Sequence, residues 1–338
     1  MPAQADPDLA LKLAQAVADL YGTATEQLLR IVAGRLGRGI ESPGWAEAKL
    51  AEVTGLRNEA RRVVEALQAA APDAVQAAIE GGWEAGIRAA QTDVTGTLTP
   101  RTNNAAVRRL IDETVTQLAD AHAQILRSTV DVYRQVVAQA SALPVSGAGT
   151  RRQAAQQAFD RLVDRGLTGF IDKQGRRWGL DTYAEMATRT ATGRAQVAGT
   201  LDRFQADGRD LVIVSDAPQE CKACRPWEGR VLSISGADPK YPSLQAAQRA
   251  GLLHANCRHR LGAYIPGVTK RLTDTADPEG DRLRREQRRL ERGVRQWKQR
   301  DAAALDDDTR RQHERRARDW QARLREHVTA NDLKRLPQ

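Results

Sequence analysis

All three cysteines of this 338-residue chain fall within 37 residues, in Cys221-Lys-Ala-Cys224 and His254-Ala-Asn-Cys257-Arg-His259. Two short Cys/His pairs about 30 residues apart can supply four ligands to a tetrahedral Zn²⁺, because each pair occupies a tight turn that aims both side chains at one point. The spacing predicts a structural zinc site made by Cys221, Cys224, His254 and Cys257. His259 is the alternative nitrogen ligand. It and His254 flank Cys257 from opposite sides, so both do not fit easily into one tetrahedral set, and the remaining histidine would stand behind the ligands or on the surface. Two other readings stay open: unliganded or redox-active thiols, and a disulfide from Cys257 to Cys221 or Cys224 with one thiol left over. The odd cysteine count and the polar, acidic start over Met1–Asp8 point to synthesis in a reducing cytosol, where such clusters are metal sites or plain thiols.

A closed four-ligand metal has no open position for a reacting water, and the carboxylates near it in sequence are Asp216, Glu220 and Glu228. The chain has no His-Glu-x-x-His, no phosphate-cradling glycine loop and no Gly-x-Ser-x-Gly. The expectation is a protein that is not an enzyme. Arg176, Arg177, Trp178, Asp181, Tyr183, Glu185 and Arg189 contain groups capable of acid–base work, but they read better as an aromatic-anchored hairpin packed on a helix. Trp178, Tyr183 and Met186 would form its core, and Arg189 would pair with an acid. Asn256 is expected to hold a turn, and Gly251 to cap the short helix before it.

The elements that must position these residues are mostly helical. Aromatics make up 4% of residues and alanine is abundant, so the apolar fraction consists of small helix formers rather than strand formers. From Pro7 to about Arg35, Leu9, Leu13, Val17, Leu20, Leu28, Leu29 and Val32 recur at three- and four-residue steps, predicting an amphipathic helix. A second helix is expected from Trp45 to about Ala70, capped by Ser42 with Pro43 in its first turn. Pro72 and Asp73 should restart the chain in a third helix to about Arg88, with Gly81-Gly82 a weak point. Thr92–Thr102 reads as a loop, Asn103–Ala142 as one long helix, Pro144–Gly149 as a linker and Arg151–Arg165 as a shorter helix.

The pattern changes at Gly169. Phe170–Asp172 and Arg176–Trp178 flank Lys173-Gln174-Gly175 as a small hairpin, and Asp181 should cap a helix to about Phe204. Leu211–Val214 is the strongest strand signal. Arg230–Ile234 and Arg260–Ile265 are further strands, and Ser243–Ala250 is a short helix. Two polar helices separated near Asp306–Asp308 follow Pro278. The fold class is therefore mainly α with a small α+β domain. Three segments are expected: a helical region over 1–149, a core over 150–268 whose Cys/His module spans about 167–268, and a basic helical tail over 269–338.

No apolar run approaches the roughly 20 residues that span a bilayer, so no membrane partner is expected. The net charge of +9 is uneven. Residues 1–100 carry 9 Lys/Arg against 13 Asp/Glu, whereas 282–300 carry 9 against 2. A basic helix of this kind suits a polyanion such as nucleic acid, or a solvated surface.

Particular residues carry a family resemblance. The run Gly169-Phe-Ile-Asp-Lys-Gln-Gly-Arg-Arg-Trp178, then Leu180-Asp-Thr-Tyr183-Ala-Glu-Met186 and Arg189-Thr190, resembles the central motif of the phage minor capsid protein family, related to the Mu F-like and head-morphogenesis proteins. The likeness continues through Ser215–Ala217, Trp227–Val231, Asn256–His259 and Ile265–Val268. The tail Arg285–Arg292 with Arg295-Gln-Trp-Lys298 is similar to the family's basic helix. It covers about 150–325, and the N-terminal helices match in character only. The Cys/His pairs resemble the Mu F-like element His-Pro-Asn-Cys-Arg-Cys, with Ala255 in place of proline and His259 in place of the last cysteine. In the minor capsid branch histidine is common at the position of Cys224, and the first cysteine is often absent.

The resemblance implies a structural component of a phage head, made in the host cytoplasm and present in few copies. Portal and capsid proteins would be its partners, with a possible oligomer on the portal and contact with packaged double-stranded DNA. Arg282, Arg285, Arg288, Arg289, Arg292, Arg295 and Lys298 are the expected nucleic-acid or portal contacts. Trp178, Tyr183, Arg189 and Trp227 are expected to be structural. The alternative is a metal-dependent nuclease or head-maturation protease using Asp216, Glu220 or Glu228.

Overall fold

The computed structural model describes residues 6–92, 104–142, 150–166, 170–171, 175 and 177–334. The expected Thr92–Thr102 loop, the Pro144–Gly149 linker and the Lys173-Gln174 turn lie almost wholly outside the described residues. In chain order the elements are α1 (Leu9–Gly37), α2 (Trp45–Ala51), α3 (Val53–Gln91), α4 (Asn104–Ala142), α5 (Arg151–Asp164), β1 (Phe170–Ile171) and β2 (Arg177–Trp178). They continue with α6 (Leu180–Ala206), β3 (Leu211–Val214), β4 (Val231–Ser233), α7 (Leu244–Arg249), β5 (Leu261–Ala263), α8 (Pro278–Ala302) and α9 (Asp307–Ala330). The fold is mainly α with a small α+β part, as the composition predicts.

Local sequence explains several boundaries. Thr150 and Gln153 form a reciprocal capping box at the start of α5, Ser243 accepts from Ala246 N at α7, and Asp306 accepts from Thr309 N at α9. Ala250 ends α7, and Gly251 follows it at φ +104°. Two expected caps are not there. Gly44, not Ser42, precedes α2, because this turn is fixed from elsewhere: the buried Trp45 indole donates to Leu36 O at 3.0 Å, and Arg151 Nη1 donates to Ser42 O at 2.6 Å. Asp181 lies inside the first turn of α6 rather than before it, and its carboxylate accepts from Gln299 Nε2 at 3.2 Å.

The expected break at Pro72 is also absent, since α3 runs straight through it. A proline inside a helix costs about 3 kcal/mol. Around it Leu67, Ala71, Val75, Ala78 and Ile79 are all buried along one stripe, and that burial outweighs the local cost. Gly81-Gly82 is no weak point either. A Cβ on Gly82 would lie 2.6 Å from Thr192 O, one on Gly86 2.0 Å from Gln196 O, and one on Gly199 2.4 Å from Trp83 O. These glycines let α3 and α6 cross with their backbones nearly touching, and Thr200 Oγ1 donates to Gly86 O at 3.2 Å within that crossing.

The chain divides into two compact units. The first draws on Met1–Val17, Pro72–Val115 and Glu185–Arg285. Its sheet has the order β4-β3-β5, antiparallel throughout, with Val212 opposite Leu232 and Ala263. Central strand β3 is almost wholly buried, and Val212, Val214, Leu232, Leu261 and Ala263 pack with Phe204, Leu244, Leu252 and Cys224 in one core.

The second unit draws on Ala18–Ala71, Thr116–Ala184 and Glu286–Gln338. Its larger core joins Val32, Leu36, Trp45, Leu56, Tyr133, Val136 and Phe159 with Ala302, Ala303 and Leu305. A smaller cluster holds α8 to α9, where a Cβ on Gly293 would lie 2.2 Å from the Trp320 ring. The hairpin strands β1 and β2 pair antiparallel with Phe170 opposite Trp178.

Candidate metal centre

The thiols and imidazoles converge within the first unit. A turn places Cys221 and Cys224 together, since Cys221 O accepts from both Cys224 N and Arg225 N at 3.1 Å. A second turn closes with Cys257 N donating to His254 O at 3.0 Å, and Asn256 holds it with a positive φ of 63°. Arg189, 4% exposed on α6, braces this turn by donating from Nη2 to Asn256 O at 3.4 Å. His259 and Arg260 then lead into β5, where Arg260 N donates to Ser215 Oγ at 2.9 Å.

Two overlapping triads result, Cys221–Cys224–His254 and Cys224–Cys257–His259, with the fully buried Cys224 common to both. Cys224 Sγ lies 3.6 Å from Cys257 Sγ, Cys257 Sγ lies 3.4 Å from His259 Nδ1, and Cys221 Sγ lies 3.0 Å from His254 Nε2. The three cysteines are free thiols, so the open disulfide reading is not the state of this structure. Both histidines carry their second nitrogen on an oxygen, as metal-bound imidazoles do. His254 Nδ1 donates to Ala255 O at 2.6 Å, and His259 Nε2 donates to Glu228 Oε1 at 2.8 Å. Glu228 is itself fixed by accepting from Ala217 N at 3.1 Å.

The electrostatics suit a cation. The hydrogen bond with Cys224 lowers Cys257 to about 4 against the opposing effect of burial, with His259 adding to the shift. The same hydrogen bond and then burial raise Cys224, so one thiol of the pair keeps its proton. Burial opposes a charged His259, but Cys257 and Glu228 outweigh it and lift the imidazole to about 9. Burial likewise opposes ionisation of Cys221, yet the His254 hydrogen bond brings it below the usual thiol range. A divalent ion would take the place of these shared protons.

Two of the three carboxylates offered as catalytic bases are engaged. Glu220, 3% exposed, accepts from Arg225 and from Asp277 N at 3.1 Å, and Glu228 serves His259. Asp216 is held up by burial and by the neighbouring Glu228 and Glu220.

Other expected residues lie apart from this centre. Trp178 and Tyr183 meet edge to face at 6.0 Å and are half-buried rather than core, as is Met186. Trp227 closes a short 3-10 turn and packs against the sheet core, with Arg230 over its ring at 5.5 Å. On α8, Arg282, Arg285, Arg289 and Arg292 are exposed in one stripe, while Arg288, Arg295 and Lys298 are half-buried. Three of the exposed four pair with acids one turn earlier: Arg282 with Glu279, Arg285 with Asp281 and Arg289 with Glu286. The stripe is more nearly neutral than its basic count suggests. Sequence reasoning passed over α9, where Arg315, Arg316, Arg318 and Arg325 are also exposed, and Trp320, which carries Arg289 and Arg323 over its ring. It also passed over the link between Glu228 and His259, 31 residues apart, for which no local pattern exists.

The chain is thus mainly helical, with a compact thiol–imidazole centre beside its small sheet. Residues 5–329 match the family described as phage minor capsid protein 2, and the chain belongs to that family. It is 30% identical over 218 residues to a "Structural protein" of Lactococcus phage LL-H, covering 60% of this chain and 59% of that protein. The match therefore spans about three fifths of that relative's length. A "Structural protein" of Lactococcus phage mv4 is 32% identical over 106 residues, covering 28% of this chain and 86% of that protein. No solved structure matches the chain. No helix among the described residues is long and apolar enough to cross a membrane.

Proposed function

We propose that this chain is a structural component of a phage head whose Cys/His centre binds Zn²⁺ as a brace, and whose basic C-terminal helices meet the portal or the packaged genome. The observation that carries the brace is the convergence of Cys221, Cys224, His254, Cys257 and His259 beside a sheet whose strands are only 3 or 4 residues long. Strands that short hold few ladder bonds of their own, and a metal bridging their ends adds its binding free energy to folding. The centre supplies no catalysis in this reading. The engagement of Glu220 and Glu228 supports that over a nuclease or head-maturation protease, in which Asp216 would be left to act as the base.

Zinc content tests the brace. Full-length protein should carry about one zinc per chain, and Cys224→Ser with Cys257→Ser should lose both zinc and the cooperative unfolding of the unit that contains them. Retention of full stability by a metal-free double variant would remove the brace from the account.

The nucleic-acid contact is tested by point changes rather than truncation, since α8 also carries buried Arg284 and Gln287. Replacing Arg285, Arg289 and Arg292 by alanine should flatten the dependence of double-stranded DNA binding on salt. The log–log slope should change by about 0.9 for each phosphate that is no longer neutralised. An unchanged slope would place the DNA-binding surface elsewhere, and binding of the portal protein would then be the arm to measure. Assembly on a portal, in few copies within the virion, follows from the same reading.

A further inference from the structure

Resting on the zinc reading above, we infer that the metal is held by Cys221, Cys224, Cys257 and His259, with Glu228 as the positioning carboxylate and His254 outside the ligand set. This reverses the expectation from spacing that His254 supplies the nitrogen. Two observations favour His259, and a third calls for all three thiolates with a single imidazole.

The first is distance. In a tetrahedron with Zn–S near 2.3 Å and Zn–N near 2.0–2.1 Å, neighbouring ligand atoms stand about 3.5–3.8 Å apart. The Cys224–Cys257 separation of 3.6 Å and the Cys257–His259 separation of 3.4 Å match two of those edges, and Cys221 reaches this triad through Cys224, within 4.8 Å of it. The Cys221–His254 separation of 3.0 Å is shorter than any such edge.

The second is support. His259 is 2% exposed, and its Nε2–H is fixed on the fully buried side chain of Glu228, which turns Nδ1 toward Cys257, where a metal would displace its proton. A carboxylate behind an imidazole sets its tautomer and raises its strength as a ligand. His254 is exposed and leans on the carbonyl of the next residue.

The third is charge. Zn²⁺ with three thiolates and one neutral imidazole carries a net charge of −1, whereas two thiolates and two imidazoles would leave the centre neutral. Arg260 is 8% exposed beside these ligands, and its Nε and Nη2 have no hydrogen-bond partner among the described residues. A buried cation short of partners and a buried anionic centre each cost stability alone and compensate one another together. With the three thiolates bound, His254 is left to hydrogen-bond the Cys221 sulfur from the solvent side.

The experiment uses full-length protein loaded with Zn²⁺ or Co²⁺, with affinity read by chelator competition and ligands read from the cobalt spectrum. His254→Ala should keep its zinc with affinity changed less than threefold. His259→Ala should lose on the order of a hundredfold or more, and Glu228→Gln about 10–100-fold. If His259→Ala fails to fold, His259→Cys decides. It should bind cobalt with sulfur-to-metal charge-transfer absorption increased from three thiolates to four, while His254→Cys leaves the spectrum of the wild type. Loss of metal in His254→Ala with retention in His259→Ala, or a four-sulfur spectrum in His254→Cys, would overturn the assignment. A wild-type chain that takes up neither metal would instead refute the zinc reading on which it rests.

Discussion

The Asp8 carboxylate and the Arg258 guanidinium, 250 residues apart in the chain, meet at 3.1 Å. Asp8 is 2% exposed and also lies 3.5 Å from Arg284 near the start of α8. One buried acid thus ties the N-terminal helix to the turn that carries Cys257 and to the first turns of α8. Arg258 adds a hydrogen bond to Pro218 O at 2.6 Å, which fixes the same turn against the segment leading to Cys221.

Removing the acid takes from the buried Arg284 and the half-buried Arg258 the carboxylate that they share. Asp8→Asn should destabilise the protein by about 3–5 kcal/mol, the usual cost of breaking one side of a buried pair. Breaking the exposed Arg282–Glu279 pair by Arg282→Ala should leave stability nearly unchanged, because solvent screens both charges. Denaturant unfolding of the two variants checks the contrast, and equal losses would show that Asp8 is not a tie.

The crossing of α3 and α6 is equally open to test. Gly86→Ala puts a methyl 2.0 Å from Gln196 O, so the helices must separate, with a loss of about 1–3 kcal/mol or more. Gly34→Ala is the control. Gly34 is exposed inside α1 with nothing within 4 Å of an added Cβ, and alanine there should stabilise by about 0.5–1 kcal/mol. Thermal melts of the two proteins should therefore shift in opposite directions.

How much of this was legible in the sequence depends on the range of the interaction. The Cys/His residues stood out because metal ligation restricts residue type and local turns restrict spacing. Strand β3, the short helix that starts at Ser243, the break between helices near Asp306 and the long α4 followed from patterns a few residues wide. Pro72 misled because its cost is local while the burial that overrides it is tertiary. Gly81-Gly82 read as a weak point when the role of Gly82, with Gly86 and Gly199, is close approach. The choice between His254 and His259 turns on Glu228 and on the burial of His259, neither of which a single sequence exposes. The pairing of the α8 arginines with acids three or four residues earlier was visible in principle, and a net-charge count conceals it.

A buried histidine in the second unit gives a pH signature separate from the metal centre. Tyr21 Oη and His122 Nε2 are 2.8 Å apart with their rings stacked, and burial holds the His122 pKa below 6.5. A histidine with a lowered folded pKa binds its proton more readily when unfolded. Its neutral form is therefore fully compatible with the fold above about pH 6.5, and stability falls as the pH drops below that value, by at most about 1.4 kcal/mol per pH unit. His122→Gln should flatten the unfolding free energy between pH 7 and 5 relative to wild type. An unchanged slope would assign the acid sensitivity to other groups.

Metal analysis of the purified full-length chain is the most direct test of the zinc-braced account. About one zinc per chain is expected, with removal by a strong chelator lowering the unfolding midpoint and re-addition of zinc restoring it. Protein that is metal-free, gains no stability from added zinc and unfolds at the same midpoint with or without chelator would contradict it.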